Sequence, residues 1–362
     1  MTRRPLLLAA PLALAALALA GCAGSADTAP TGDSGSAVSA ERCSLNKDAG
    51  DITYLSGYQW QASASILEVV AAKELGYFDD LCLNVSLEPG SGETSQNTQL
   101  LAAGTVQFTP LSLQNLIQAQ DAGVDVLGIS SYSNEGLEVL LTTPDITKLT
   151  QLEGTILGHK GQLPPTVAAM LDEEGVDMST IEQVQVGYDP SVLPRGQVTS
   201  LTGFISNEPN LLEAAGDEVT VWSPYDYGVP SSLGAMAVNP AFASEHPTAV
   251  EDFLRAILHA YAYCADNAEE CVGYTAELSG DGYDAAHNQR IWETEAATVA
   301  DTLPDGWSLG AIDTDNYAAL GKMLVDYDLL ENPATADDAS SYIDTSFIEA
   351  IYDGDALVWP AP

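Results

Sequence analysis

Cations are scarce in this chain of 362 residues: 11 Lys and Arg stand against 52 Asp and Glu, a formal charge of −41. Nucleic-acid binding needs clustered Lys and Arg against phosphates, so this balance excludes it. It excludes a polybasic membrane-surface protein for the same reason. The acidity fits a cationic ligand or, more simply, the general surface acidity of an exported or salt-adapted protein. No apolar run reaches the roughly 20 residues that a spanning helix needs. A phosphate loop, a nucleophile elbow and an H-E-x-x-H pair are all absent. Gly90-Ser91-Gly92 is too short for a dinucleotide fingerprint. The four His, at 159, 246, 259 and 287, are scattered, and no metal site follows from them. Asp313-x-Asp315 begins like a calcium loop, but Tyr317 takes the third ligand position, so a helix cap is the better reading. Carboxylates are so many that no chance pair of them argues for acid–base catalysis. No cofactor is implied.

What is present begins with an export signal. Arg3 and Arg4 precede an apolar run from Leu6 to Ala20 that ends Leu19-Ala20-Gly21-Cys22. Charge, a short apolar stretch and small residues read as a signal peptide over 1–21. Its end resembles the lipobox of bacterial lipoproteins, in which the Cys (here Cys22) is acylated. A plain secretory signal with an incidental Cys is the alternative. Residues 22–42, rich in Ala, Gly, Ser, Thr and Asp, read as a flexible tether.

With Cys22 lipidated, Cys43, Cys82, Cys264 and Cys271 remain, an even number for an oxidising compartment. Three pairings are possible. Cys264 and Cys271 are the natural local pair, which leaves Cys43 to Cys82. A zinc site lacks both a C-x-x-C and a nearby His pair.

From residue 51 to about 238 short β-prone runs alternate with amphipathic helices closed by Gly, as at Gly76, Gly104, Gly123 and Gly175. Pro247–Asn267, Asp284–Thr302, Thr314–Tyr327 and Ser341–Tyr352 then carry helical periodicity. Alternation of this kind implies α/β lobes with mostly parallel sheets, whose ligands sit at the carboxyl ends of strands. The length is more than one core usually fills, so two lobes are expected. Aromatics in the presumed loops (Tyr58, Trp60, Tyr132, Tyr188, Trp222, Tyr225 and Tyr227) could stack a planar ligand or simply pack the rims.

These features, taken in order, resemble the extracytoplasmic substrate-binding proteins of ABC importers, in the branch for taurine, nitrate and thiamine-pyrimidine precursors. The resemblance runs through Ala71-Ala72-Lys73-Glu74-Leu75-Gly76-Tyr77-Phe78 and on to Val85, with Cys82 where a Gly is usual. It continues at Leu100–Phe108, where Gln107 departs from the common Asp, and at Leu149–Gly158. Gly203-Phe204-Ile205-Ser206-Asn207-Glu208-Pro209 resembles a segment of the pyrimidine-precursor subgroup. Tyr225–Pro230 and the stretch from His246 to Ala256 resemble the return crossing and the helix after it.

The resemblance implies a two-lobed periplasmic-binding-protein-like (type II) fold that closes on a small molecule. Lobe one would be 43–141 and 229–362, and lobe two 142–228, with crossings near Leu140–Pro144 and Ser223–Pro230. The implied partners are an ABC permease, its ATPase and the membrane, through the lipid anchor. The protein would be a monomer on the extracytoplasmic face of the cell membrane, binding no nucleic acid and catalysing nothing. A thiamine-type pyrimidine leads the ligand readings, ahead of riboflavin and then of sulfonate or nitrate. A pyrimidine-synthase-like enzyme is disfavoured by the missing Cys cluster, and service to a sensor stays open. Glu208 is the first candidate in the site, since the matching carboxylate in relatives accepts from the ring's amino group. An ionised Glu also rejects anions. The plainer reading is an acid at a helix start. Tyr58 and Trp60 would stack the ring. Tyr132, His159, Gln162, Asn207, Trp222 and Tyr225 complete the candidate ligand set.

Overall fold

The computed structural model describes residues 37–362. The expected signal peptide, Cys22 and the tether up to residue 36 lie outside the described residues. Ten strands form two five-stranded sheets. In chain order they are β1 (Asp51–Leu55), β2 (Asn84–Glu88), β3 (Phe108–Pro110), β4 (Leu127–Ser130), β5 (Glu138–Thr142), β6 (Ile156–His159), β7 (Glu182–Gln185), β8 (Ser200–Phe204), β9 (Thr220–Trp222) and β10 (Met236–Val238). Sheet one has the order β2-β1-β3-β10-β4 and sheet two the order β7-β6-β8-β5-β9.

Both sheets are mostly parallel, with one strand reversed in each. β10 runs against β3 and β4, and β5 runs against β8 and β9. Each reversed strand is the first one laid down after the chain has changed sheets. β5 already belongs to sheet two, so the chain changes sheets over residues 131–137, earlier than the expected crossing at Leu140–Pro144. The two connections are fastened together. Ser133 and Leu233 form an antiparallel bridge, and Ser223 Oγ donates to Glu135 at 2.7 Å. Gly234 is required there: its φ is +70° and a Cβ would stand 2.1 Å from the Tyr132 ring.

The helices that matter for the site are α1 (Ala40–Asp48), α2 (Leu67–Glu74), α3 (Glu208–Ala215), α4 (Pro247–Asp266), α5 (Ala268–Ser279) and α6 (Ala285–Thr302). α4 packs on α2 and on sheet one, where Phe253 stacks on Phe108 with ring centroids 3.8 Å apart and on Phe78 at 5.3 Å. Full burial of each such ring stabilises the fold by about 1.5–3 kcal/mol.

Three expectations are corrected. First, the tether does not reach residue 42. Ser39 caps α1, and Arg42 grips Asp252 and Glu251 at 2.8 Å. Second, the first crossing lies before β5 rather than at Leu140–Pro144. Ala268–Ser279 forms a further helix, reached through a corner that the Cys264–Cys271 disulfide closes. Third, Ser341–Tyr352 is not one helix. Ile343 is drawn into a bridge with Gly128 of β4, between a 3-10 turn at Ala339–Tyr342 and a short helical turn at Ser346–Glu349. Cys43 pairs with Cys82 in the other disulfide. No helix among the described residues is long and apolar enough to cross a membrane.

Candidate functional site

The carboxyl ends of β1 and β3 and the residues leading into β10 line an open cavity of about 210 Å³. Its walls carry Tyr58, Gln61, Ser63, Ser65, Ser112 and Ser232 among small and apolar residues, with no Lys, Arg, Asp or Glu. The loop after β1 is held rigidly. Asn97 Nδ2 donates to the Ser56 carbonyl at 3.1 Å, and the Gly90 N–H donates to Ser56 Oγ at 2.9 Å. A side chain at Gly92 would collide with the Tyr58 ring, so Tyr58 lies over that glycine.

The loop then enters α2 through Ser65, whose φ of +69° is unusual for a residue with a side chain. Such a backbone costs on the order of 1–3 kcal/mol and needs support. The Tyr54 hydroxyl donates to the Ser65 carbonyl, and the Ser65 N–H donates to Glu68 Oε1 at 2.7 Å. Glu68 Oε1 also accepts from the Tyr132 hydroxyl at 2.7 Å. Next to it, the Ala64 N–H donates to Glu295 Oε2 at 2.7 Å. Two buried carboxylates therefore occupy the N–H groups of Ala64 and Ser65, in the turn before α2. Burial pushes both acids up to about 7; the hydrogen bonds they accept pull the other way. Ser65 Oγ and Glu68 Oε2 are buried without a protein hydrogen-bond partner.

A second polar cluster stands on sheet two, outside the lining of that cavity. Glu208, fully buried at the start of α3, accepts from Lys160 Nζ, from Asn207 Nδ2 at 2.9 Å and from the Phe204 N–H at 2.7 Å. Gly203 makes room, because a Cβ there would stand 2.8 Å from Glu208 Oε2. Asn207 Oδ1 meets His287 Nε2 of α6 at 2.8 Å. A chain of polar groups thus runs His287–Asn207–Glu208–Lys160. Burial lowers both Lys160 and His287, the latter aided by nearby Arg290. Lys160 Nζ also stands 5.5 Å from the ring centroid of the exposed Tyr188.

Of the residues expected from sequence, Tyr58 lines the cavity. Asn207 and Glu208 stand together at the start of α3, and neither lines the cavity. His159 ends β6 with its Nδ1 buried and unpartnered, and Gln162 is exposed just beyond it. Tyr132 is fully buried under the loop, and Trp60 packs against the sheet-one core. Trp222 donates its indole N–H to Thr142 Oγ1 at 2.9 Å within sheet two, and Tyr225 is exposed on the turn Pro224–Tyr227. Sequence reading passed over Glu68 and Glu295. A signal existed for both: Glu68 interrupts the apolar run Ile66–Ala72, and Glu295 shares a helical face with Ile291, Trp292 and Val299. Among the described residues no three His, Cys, Asp or Glu are grouped to hold a metal ion.

Comparison with known proteins agrees with this architecture. The formylaminopyrimidine-binding protein of Halalkalibacterium halodurans is 25% identical over 297 residues, which cover 78% of this chain and 88% of that protein. The periplasmic aliphatic sulphonate binding protein SsuA of Escherichia coli superposes with a TM-score of 0.62 at 14% identity, over 86% of this chain and 96% of its own. The desulfurization enzyme DSZB superposes at 0.58 and 14% identity, over 82% of this chain and 98% of its own. These two share the fold, and one of them is an enzyme, so the fold alone does not separate binding from catalysis. The model of the NMT1/THI5-like family matches residues 63–271, from the start of the cavity loop to Cys271, and the chain belongs to that family.

Proposed function

We propose that this protein is the extracytoplasmic solute-binding component of an ABC importer, and that it takes a neutral, planar nitrogen heterocycle of the formylaminopyrimidine type. The transport class is supported by the family and by the curated relative together. The ligand class rests on one observation: the N–H groups of Ala64 and Ser65, two residues of the cavity lining, are already given to Glu295 and Glu68. A sulfonate or nitrate entering this wall would meet spent donors, two buried acids and no cation. A desolvated anion without partners is strongly disfavoured. Hydroxyls, one amide and the Tyr58 ring suit a flat molecule with ring nitrogens and amino groups.

In this reading the two lobes are the bodies built on the two sheets, and they close on the ligand. Tyr58 stacks the ring. Glu208 is the anchor on the sheet-two lobe, and its carboxylate has about four acceptor positions for three protein donors. Paired with Lys160, it presents an acceptor without net charge, which suits an uncharged ligand. Cys22 carries the lipid anchor, and the partners are a permease and its ATPase.

The test is a thermal-shift panel on the full-length chain with formylaminopyrimidine, hydroxymethylpyrimidine, thiamine, riboflavin, taurine and nitrate. A ligand at 100 times its Kd adds roughly 2.7 kcal/mol, enough to move the midpoint by several degrees. A pyrimidine is expected to shift it, and Glu208→Gln to weaken that ligand at least about tenfold, the worth of a hydrogen bond to a charged group. A shift with riboflavin alone keeps the transport class and replaces the ligand. A shift with only taurine or nitrate overturns the neutral-ligand reading.

A further inference from the structure

One carboxylate joins the cavity loop to the Ser206–Glu208 turn of sheet two. Glu295, buried on α6, takes Ser63 Oγ at 3.0 and 2.9 Å and the Ala64 N–H at 2.7 Å from the sheet-one side. It takes Ser206 Oγ at 2.7 Å from the sheet-two side. Ser206 directly precedes Asn207 and Glu208. α6 holds the rest of that turn as well: Asn210 Nδ2 donates to Thr294 Oγ1 at 3.0 Å and to the Arg290 carbonyl at 3.3 Å. On its other side α6 is fixed to sheet-one elements. The Ala62 N–H donates to Asn288 Oδ1 at 2.8 Å, and Trp292 Nε1 donates to the Cys264 carbonyl at 3.1 Å.

We propose that Glu295 is a positioning residue, a latch that registers the α2 loop against the Ser206–Glu208 turn and so sets how firmly the two hold together. The argument is one of connectivity. Separation of loop and turn leaves Ser63 and Ala64 with Glu295, since all three ride on the sheet-one body. It must break the bond to Ser206, because Ser206 rides on sheet two. The latch is thus the Glu295–Ser206 contact, and the remaining bonds keep Glu295 aimed at it.

The charge state of Glu295 gives the latch a direction. The titratable groups around it are Glu68 on α2, Tyr132 before β5, Tyr261 on α4, His287 and Arg290 on α6, and the Lys160–Glu208 pair beyond Ser206. Glu68 and Tyr261 interact with it electrostatically. In the closed arrangement burial raises the Glu295 carboxyl to about 7. Opening admits water and returns it toward the ordinary range near 4.3. Closure therefore takes up a proton. The closed state gains as pH falls below about 7 and loses as pH rises through it. The protonated carboxyl can still hold the contact, since its O–H can donate to Ser206 Oγ.

The test is hydrogen–deuterium exchange on the full-length chain without ligand from pH 5.5 to 8.5, corrected for the intrinsic exchange rate. Without ligand, its failure stands apart from failure of the ligand assignment. In the wild type, protection of the 206–212 amides should fall relative to β1 as pH rises from 5.5 toward about 7, and level off above it. Ser206→Ala should lower that protection about tenfold at pH 6 while leaving β1 protected, and Ser206→Thr should restore it. Glu295→Gln should remove the pH dependence. Protection at 206–212 that is unchanged by Ser206→Ala, or lost equally in β1, overturns the latch. A pH step that persists in a folded Glu295→Gln overturns its assignment to this carboxyl.

Discussion

The Tyr132 hydroxyl donates to Glu68 Oε1 across 2.7 Å, and both side chains are sealed from solvent. The bond ties the segment leading to β5 to the first turn of α2, where Glu68 also holds Ser65 of the cavity lining. Tyr132→Phe leaves Glu68 with one donor fewer in an apolar setting. The expected loss is about 1–3 kcal/mol of stability, read from the urea midpoint. Ligand affinity should change less than threefold, since the ring itself is kept. A large affinity loss with unchanged stability would place Tyr132 in contact with the ligand instead.

Stability should depend on pH through Glu68 and Glu295. Both titrate near 7 in the folded chain and near 4.3 when unfolded. Each group is raised on folding, so its stabilising share is full below about pH 4 and is lost as pH rises through 7. The slope is at most about 1.4 kcal/mol per pH unit for each acid. His259 and His287 are lowered by burial and act in the opposite sense over the same range. The difference between wild type and Glu68→Gln isolates the acid. Urea midpoints at half-unit steps from pH 5 to 8 should show a steeper fall in wild type than in the variant. Parallel curves would contradict it.

The two disulfides should contribute unequally. Cys43–Cys82 closes a separation of 39 residues and Cys264–Cys271 one of 7. Loop-closure entropy gives about 4 and about 2 kcal/mol respectively. Replacing Cys43 and Cys82 together by Ser should therefore lower the melting temperature more than replacing Cys264 and Cys271. Calorimetry on the two double variants checks the order, and an inverted order would show that native contacts around α5 outweigh chain entropy.

Much of the architecture was legible because it is periodic. The strands and helices from β1 to β10, and α4 and α6, announce themselves by spacing and by the glycines that end them. α1 was not legible, because little in its local sequence argues for a helix. Arg42 meets Asp252, and Cys43 meets Cys82, only through long-range packing. The same holds for Ile343, whose periodicity points to a helix until β4 draws it into a bridge. In the candidate site, Tyr58 and the Asn207–Glu208 turn were visible as polar and aromatic residues in loops. Glu68 and Glu295 sat in plain sight on apolar helical faces. That they meet at one loop depends on how α2 and α6 pack, and no local pattern encodes it.

The position of β10 bears on the order in which the molecule can assemble. It lies between β3 and β4, although more than a hundred residues follow β4 before it appears. Until Met236–Val238 has been synthesised, sheet one lacks the strand that joins β4 to the rest, and β3 and β4 present facing edges with unpaired backbone. Sheet two has no such dependence, since all five of its strands lie within residues 138–222. The inserted body can therefore mature as a unit of mostly local contacts, while the body built on sheet one waits for the strand that joins β3 to β4. A nascent or unfolded chain is most exposed to wrong strand pairing during that wait, along β3 and β4.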